Sequence, residues 1–383
     1  MSPQLVMELT KIVAQRYLKA KKKKEKTKIL DEYCANTGRN RKYAISKIRK
    51  TLFHAEKAKK KRGRKKEYDS AIDQYLIQIW ESFNHICPER LHPFLQSGIE
   101  KLEQFGHISI PQKEKIQILS LSLSTLKRRL KSHRERNGGV RGLSTTKPGY
   151  LLKKHIPIQT LSWDVEKAGF CEIDLVAHCG GSMAGDFIYT LQFVDIKTTW
   201  TERVAVMGKS QHAVFEGIQK IEALLPFPLL GLDSDNGGEF INAHLYNYCE
   251  KKKIVFTRSR PYMSKDNAHI EQKNYTTVRK VLGYDRFDTQ EHLKLMNDLY
   301  TNELRLYLNF FQPTLKMVEK VKIGSKYKRK YDHAKTPYER VLACPNVSDE
   351  RKKQLRTIYD SLNPVQLLRI IERKVSTILS LSL

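Results

Sequence analysis

Along residues 3–18 the apolar positions Leu5, Val6, Leu9, Ile12 and Val13 return at helical spacing, and the run Lys21 to Lys24 then breaks the pattern. A short helix leading into a basic hinge is expected. From Thr27, the positions Ile29, Leu30 and Tyr33 predict a second helix, Gly38 supplies a turn, and Tyr43, Ala44, Ile48 and Leu52 line a third. The last two form a helix-turn-helix pattern. Arg39 precedes the final helix, whose remaining faces carry Arg41, Lys42, Lys47, Arg49 and Lys50. That composition suits entry into a DNA major groove with phosphate clamping, or more plainly a solvated basic face in a bundle.

Further on, Ile72, Leu76, Ile79, Trp80 and Phe83 make a strong helical stripe that Leu95, Ile99 and Leu102 continue. Ile116 to Leu119 follow, then Ser122 or Ser124 as a candidate N-cap ahead of Thr125 to Lys131, a basic run containing Lys127, Arg128 and Arg129. This is either a second helix-turn-helix or another solvated basic face. The pattern then changes class. Phe170 to Val176, Phe187 to Ile196 and Arg203 to Met207 read as strands, and Val214, Phe215, Ile218, Ile221 and Leu225 as a helix. Leu229 to Leu232 predict a strand, Leu245 to Lys252 a helix and Ile254 to Arg258 a last strand. A helix then starts near Ser264 or Asp266 and ends at Gly283. That order predicts a mixed five-stranded sheet with helices on both faces. Helical segments continue to about Asn309, followed by a basic stretch with hairpin character around Ile323, Gly324 and Ser325 and by two more helices.

These readings divide the chain into residues 1–54, a helix-turn-helix region; 55–68, a basic linker; 69–137, a second helical region; 138–164, a linker; 165–285, an α/β core; and 286–383, a helical and basic C-terminal region. The first linker is too rich in lysine to pack a core. Its Arg62-Gly63-Arg64 resembles the core of a minor-groove AT-hook, although Lys65 stands where a proline is usual, and a nonspecific phosphate tether is the simpler reading. The chain ends on Ile378-Leu379-Ser380-Leu381-Ser382-Leu383, which suggests a docked final helix or a shortened copy.

Charge narrows the function. In 383 residues, 70 Lys+Arg face 41 Asp+Glu, a formal charge of +29 that predicts a polyanionic partner, nucleic acid foremost. No apolar run of about 18 residues and no secretory or lipidation signal is visible, so a soluble, cytoplasmic, nucleoid-associated protein is expected. The six cysteines show no zinc spacing and read as thiols of a reducing compartment.

Against this basic background, three acids stand out. In Glu172-Ile173-Asp174-Leu175-Val176, alternation puts Glu172 and Asp174 on one face of a strand, where a carboxylate needs a positive partner. Asp235 closes another strand, at the end where open α/β sheets form ligand crevices, and Asn236-Gly237-Gly238 lets the chain turn beside it. Asp233 competes with it on the same face. Glu271 follows after positions 236–270, one helical turn beyond Asn267 and on the same helix face. Lys273, Arg279 and Lys280 on that helix are candidate phosphate ligands. Acids from distant segments that converge in this way can hold two magnesium ions about 4 Å apart and clamp an in-line phosphoryl displacement. Asp195 reads as structural, and His178 as a candidate proton shuttle.

Glu172-Ile173-Asp174, the block Asp235-Asn236-Gly237-Gly238-Glu239-Phe240, and Arg260-Pro261 with Lys265 to Asn274 resemble the integrase catalytic core of bacterial insertion-sequence transposases, the DDE superfamily that includes retroviral integrases. The resemblance covers about residues 165–285. It implies a ribonuclease-H-like fold with Asp174, Asp235 and Glu271 as catalytic metal ligands, supported by Asn236, Gly237 and Asn267. It also implies two Mg²⁺ ions replaceable by Mn²⁺, and strand cleavage followed by strand transfer. The expected partners are the element's ends and target DNA, bound by at least a dimer, with the N-terminal helices reading the ends and the basic tail holding flanking or target DNA. The histidine-cysteine zinc module of retroviral integrases is missing, which leaves end recognition to residues 27–52 and 112–136. A captured transposase acting as a DNA-binding regulator, or a sequence-independent nuclease, are the alternatives.

Overall fold

The computed structural model describes residues 3–56, 68, 71–131, 165–235, 237–258, 268–323 and 326–382. The chain divides into two units, Met1–Glu67 and Tyr68–Leu383.

The smaller unit is three helices, α1 (Pro3–Lys19), α2 (Lys23–Thr37) and α3 (Arg41–Glu56). Their apolar faces close over Val13, Ala14, Ile29, Leu30, Tyr33, Ala44 and Ile48. The Tyr33 hydroxyl stays inside this core because the Thr10 hydroxyl meets it at 2.7 Å. Gly38, at φ +67°, ends α2 and donates its N–H to the Cys34 carbonyl, a left-handed cap that glycine adopts without strain. The turn expected at Gly38 is thus present between α2 and α3.

In the larger unit, α4 (Ile72–Ser82), α5 (Pro88–Gln104), α6 (Gln112–Leu119) and α7 (Leu123–Leu130) precede the sheet. Ser122 caps α7 by accepting from the Thr125 N–H. The sheet contains β1 (Phe170–Ala177), β2 (Ile188–Asp195), β3 (Thr201–Met207), β4 (Gly231–Ser234) and β5 (Val255–Arg258), in the order β3-β2-β1-β4-β5. The first three strands form an antiparallel meander, while β4 runs parallel to β1 and β5 parallel to β4. Between them lie α8 (Gln211–Leu224) and α9 (Ala243–Lys252). Strand β2 is buried along its whole length, as a central strand covered on both faces must be. Gly217 lets α8 approach the sheet, since a Cβ there would meet Leu191 Cδ2 at 2.9 Å.

After β5 come α10 (Ala268–Lys273), a π-helical segment (Asn274–Arg279) and α11 (Lys280–Leu282), which stops at Gly283 as its composition predicts. Then follow α12 (Gln290–Leu299), a second π-helical segment (Tyr300–Leu304) and α13 (Arg305–Phe311). Neither π segment is visible in the sequence pattern. Strand β3 lies at the sheet edge, where unpaired backbone groups need partners. Asn297 supplies them at Ala205, accepting from its N–H at 2.9 Å and donating to its carbonyl at 3.0 Å. Asn309 does the same at Thr201, at 2.9 Å in both directions.

A hairpin of β6 (Met317–Ile323) and β7 (Lys326–Tyr331) leads to α14 (Pro337–Ala343), α15 (Asp349–Ser361) and α16 (Pro364–Ser380). Helix α16 docks: Leu367, Ile371 and Ile378 are buried, although Leu381 beyond it is exposed, and Lys374 reaches Asp298 at 2.6 Å and Glu303 at 2.5 Å. Residues from α4, α5, the sheet and α12 through α16 share one hydrophobic core. Arg90 and Gln312 tie the preceding helices to the following ones through the carbonyls of Pro313 and Phe83.

Candidate active site

Parallel pairing of β1 with β4 sets Glu172 beside Asp233, and Asp174 and Asp235 each stand two positions further along. The turn after β4 holds Asp235: its Oδ1 accepts the Gly237 N–H at 2.8 Å. A Cβ on residue 237 would lie 2.9 Å from that same oxygen and 2.7 Å from Glu239 Cδ, so a larger residue there would push both carboxyl groups aside. Asn236 and Asn267 lie outside the described residues.

Helix α10 and the π-helical segment after it are each fastened to β1 at one point. Glu172, buried, accepts the Ile270 N–H at 2.9 Å, meeting one of the free backbone donors of the helix's first turn. Asn274, one turn after Glu271, donates from Nδ2 to Asp174 Oδ2 at 2.6 Å. The other Asp174 oxygen accepts the Leu175 N–H at 2.8 Å. Glu271 itself is exposed, in the first turn of α10.

The electrostatics follow from these contacts. Burial, then the Asp235 charge and, more weakly, the Glu271 charge push the Asp174 carboxyl up to about 7, against the opposing hydrogen bonds from Leu175 and Asn274. Desolvation also raises Glu271. Among the described residues no three His, Cys, Asp or Glu side chains stand close enough to hold one metal ion. In donor chemistry the trio nevertheless fits a hard divalent cation, which takes carboxylate oxygens and would relieve the repulsion felt by Asp174.

The basic candidates sort by environment. On the α10–α11 stretch, burial and the cations of Arg203, Arg90 and Arg340 pull Lys273 down to about 7. Arg279 donates to the Ala177 carbonyl at 2.8 Å and lies over Tyr284, while Lys280 is exposed over Tyr275. In α7, Lys127 pairs with Glu89 and Arg129 with Asp73, leaving Arg128 exposed. In the small unit, Arg39 stacks on Tyr43 and Arg41 pairs with Asp31, whereas Lys42, Lys47, Arg49 and Lys50 are exposed. Arg62 and Arg64 lie outside the described residues.

His178 does not suit proton shuttling. It is fully buried, its Nε2 lies 2.8 Å from the Thr190 hydroxyl, and burial, helped by the Arg279 charge, drives it down to about 3. A group lowered on folding contributes stability above its unfolded pKa near 6.5, and loses that contribution as pH falls toward 3. His178→Gln should therefore lower Tm most above pH 6.5, and the gap to wild type should shrink on acidification by at most about 1.4 kcal/mol per pH unit. A pH-independent gap, measured by thermal unfolding, would contradict the buried neutral imidazole. Asp195 is structural, as its sequence context suggests: it accepts the N–H groups of Gly169 and Thr198, at 2.7 Å each.

Four polar residues of this site escape sequence reading in whole or part. Strand alternation places Glu172 on the right face without giving it a role. Asn274, three residues after Glu271, carries a usable helical-spacing signal. Gln192 and Arg203 interrupt apolar strands, but only strand register shows that they lie across from Asp174.

A meander of three antiparallel strands extended by two parallel strands in the order 3-2-1-4-5, covered by helices, is a ribonuclease-H-like α/β fold. The chain belongs to the family of the "Uncharacterized protein y4rM" of Sinorhizobium fredii, to which it is 33% identical over 343 residues, covering 88% of this chain and 95% of the relative. No protein-family model matches. Similar solved structures include the catalytic core domain of BIV integrase (17% identity, 45% of this chain and 91% of that one, TM-score 0.30). Others are the HTLV-2 integrase catalytic core domain in complex with magnesium (14%, 39% and 92%, TM-score 0.30) and a simian T-cell lymphotropic virus intasome bound to a PP2A regulatory subunit (14%, 66% and 73%, TM-score 0.32). Among the described residues no helix is long and apolar enough to cross a membrane.

Proposed function

We propose that this chain is a DDE-type transposase of a bacterial insertion sequence, cutting DNA at the ends of a mobile element and joining those ends to target DNA. The observation that carries the reading is the Asn274 to Asp174 hydrogen bond, which draws the helix bearing Glu271 onto the strand bearing Asp174, beside the β4 end that bears Asp235. Asp174, Asp235 and Glu271 would hold two Mg²⁺ ions, with Mn²⁺ able to replace them. When bound, magnesium supplies Lewis acidity to both the attacking and the leaving oxygen of an in-line displacement. The protein's own part is to present carboxylates from a strand, a strand end and a helix, and to keep Asp174 oriented through Asn274. Lys280 is an exposed cation for the phosphate backbone.

DNA is the partner this reading requires, held by at least a dimer so that two ends can be joined. The α2–α3 pair would engage the element ends. The exposed ribbon of β6 and β7, with Lys322, Lys328, Arg329 and Lys330 beside Tyr327 and Tyr331, would hold flanking or target duplex. Counterion release makes the arms testable. Replacing Lys42, Lys47, Arg49 and Lys50 by alanine should flatten the slope of log affinity against log salt by about 0.9 for each phosphate no longer neutralised. An unchanged slope in a mobility-shift titration would remove α3 from the interface.

The decisive experiment incubates full-length protein and Mg²⁺ with labelled duplex from the DNA flanking its gene, and looks for nicks and joined products. Joined products support a transposase, and cutting without joining a nuclease of the same fold. Specific binding without cutting would make the chain a DNA-binding regulator.

A further inference from the structure

Beneath the candidate site lies a buried polar layer that neither the carboxylates nor DNA binding accounts for. Register sets Asp174 of β1 directly opposite Gln192 of β2, and Gln192 opposite Arg203 of β3, so the three share one face of the sheet. Gln192 and Arg203 are both fully buried. Arg203 Nε donates to Gln192 Oε1 at 3.3 Å, and the Thr277 hydroxyl lies 2.8 Å from that same oxygen. Gln192 Nε2 donates to Asn274 Oδ1 at 2.8 Å, and Asn274 Nδ2 donates to Asp174 Oδ2 at 2.6 Å. Both Asn274 and Thr277 come from the first π-helical segment, whose wider turn brings them to the sheet together.

The direction of this chain is forced by its ends. A guanidinium only donates, and an ionised carboxylate, the form that holds a cation, only accepts. With Arg203 at one end, the Gln192 oxygen must face it, which turns the Gln192 amide nitrogen toward Asn274. Asn274 must then offer its oxygen to Gln192 and its nitrogen to Asp174. Each amide is locked by the one before it, and the dipoles align from cation to anion, an arrangement in which successive bonds strengthen one another. The two terminal nitrogens of Arg203 find no hydrogen-bond acceptor among the described residues, and its guanidinium carbon lies 5.9 Å from the centre of the Tyr300 ring. A buried cation so sparsely paired stabilises the fold poorly, which argues for a role in the site above it.

We infer that Gln192 is a positioning residue: backed by Arg203, it fixes the Asn274 amide so that one Asp174 oxygen is held in a set orientation for a divalent cation. This rests on the reading of Asp174 as a metal ligand. Second-layer partners of metal-binding side chains act in this way by restricting the ligand before the cation arrives.

The test is Mn²⁺ binding to the full-length, DNA-free protein, followed by electron paramagnetic resonance. Gln192→Glu keeps both acceptor contacts, to Arg203 and Thr277, but cannot donate to Asn274. Asn274 then loses its lock and can turn its oxygen toward Asp174. Mn²⁺ affinity should weaken roughly 10- to 100-fold, although an added carboxylate near the site would by charge alone tighten it. The metal-free protein should keep its thermal stability. Should that variant fail to fold, Gln192→Met combined with Arg203→Met removes the amide and the cation together and should show the same weakening. Wild-type Mn²⁺ affinity in either folded variant overturns the inference. Asp174→Asn separates the two levels: if it binds Mn²⁺ as wild type does, Asp174 is no ligand and the reading beneath the inference fails with it.

Discussion

Glu271→Gln is expected to abolish metal-dependent DNA cutting and to leave DNA binding intact. The exchange keeps size and hydrogen-bonding capacity but removes the charge that attracts a cation. A bound metal contributes several kcal/mol of charge stabilisation in a phosphoryl transfer, so at about 1.4 kcal/mol per tenfold the rate should fall by ~10³-fold or more. Glu271 is exposed on the first turn of α10, so folding should be unaffected. The basic groups of α3 and the β6–β7 ribbon lie on other elements, so affinity for duplex should hold. An end-labelled flanking duplex reports both quantities. Cutting at the wild-type rate in the variant would remove Glu271 from the site.

Glu202→Ala should be among the most destabilising single changes in the larger unit. Glu202 is completely buried and accepts from Trp200 Nε1 at 2.8 Å, from Arg305 Nε at 2.9 Å and from Arg305 Nη2 at 2.7 Å. Removing it strands a largely buried guanidinium and an indole N–H. Breaking such a pair from one side costs about 3–5 kcal/mol, most of it the penalty of the charge left behind. The urea midpoint of the larger unit should drop accordingly at constant slope, the mark of lower stability rather than a changed unfolded state. A shift no larger than that of an exposed ion pair, on the order of 1 kcal/mol or less, would mean that water replaces Glu202.

The order of strands and helices is legible from residues 170–283 because each element carries its own local signal. The apolar runs of β1 to β3, the stripe of α8, the Ser122 cap and the Gly283 stop all lie within a few residues of what they determine. For β4 the apolar run predicts residues 229–232, whereas the strand lies at Gly231–Ser234, two residues on. The polar Asp233 and Ser234 are buried by pairing with β1 and β5 rather than by their own character. What stays hidden depends on partners far away in sequence. Lys127 and Arg129 read as free basic residues until Glu89 and Asp73 meet them, and His178 reads as available until Thr190 and Phe287 enclose it. The link from Arg203 to Asp174 requires the register of three strands and a π-helical turn, none of which leaves a periodic trace. The three carboxylates stand out in the sequence for a different reason. An acid is costly on a sheet face, so Asp174 inside an apolar strand is an oddity that the alternation of residue types exposes by itself.

The amide side chains of Asn297 and Asn309 close the free edge of β3 as a sixth strand otherwise would. An open strand edge invites other chains to pair with it, and natural sheets cover such edges with charge, bulges or neighbouring segments. Here the cover is lent by α12 and α13, downstream of the sheet in sequence. During synthesis the five strands emerge before their guard, so the nascent sheet is exposed to mispairing until those two helices arrive.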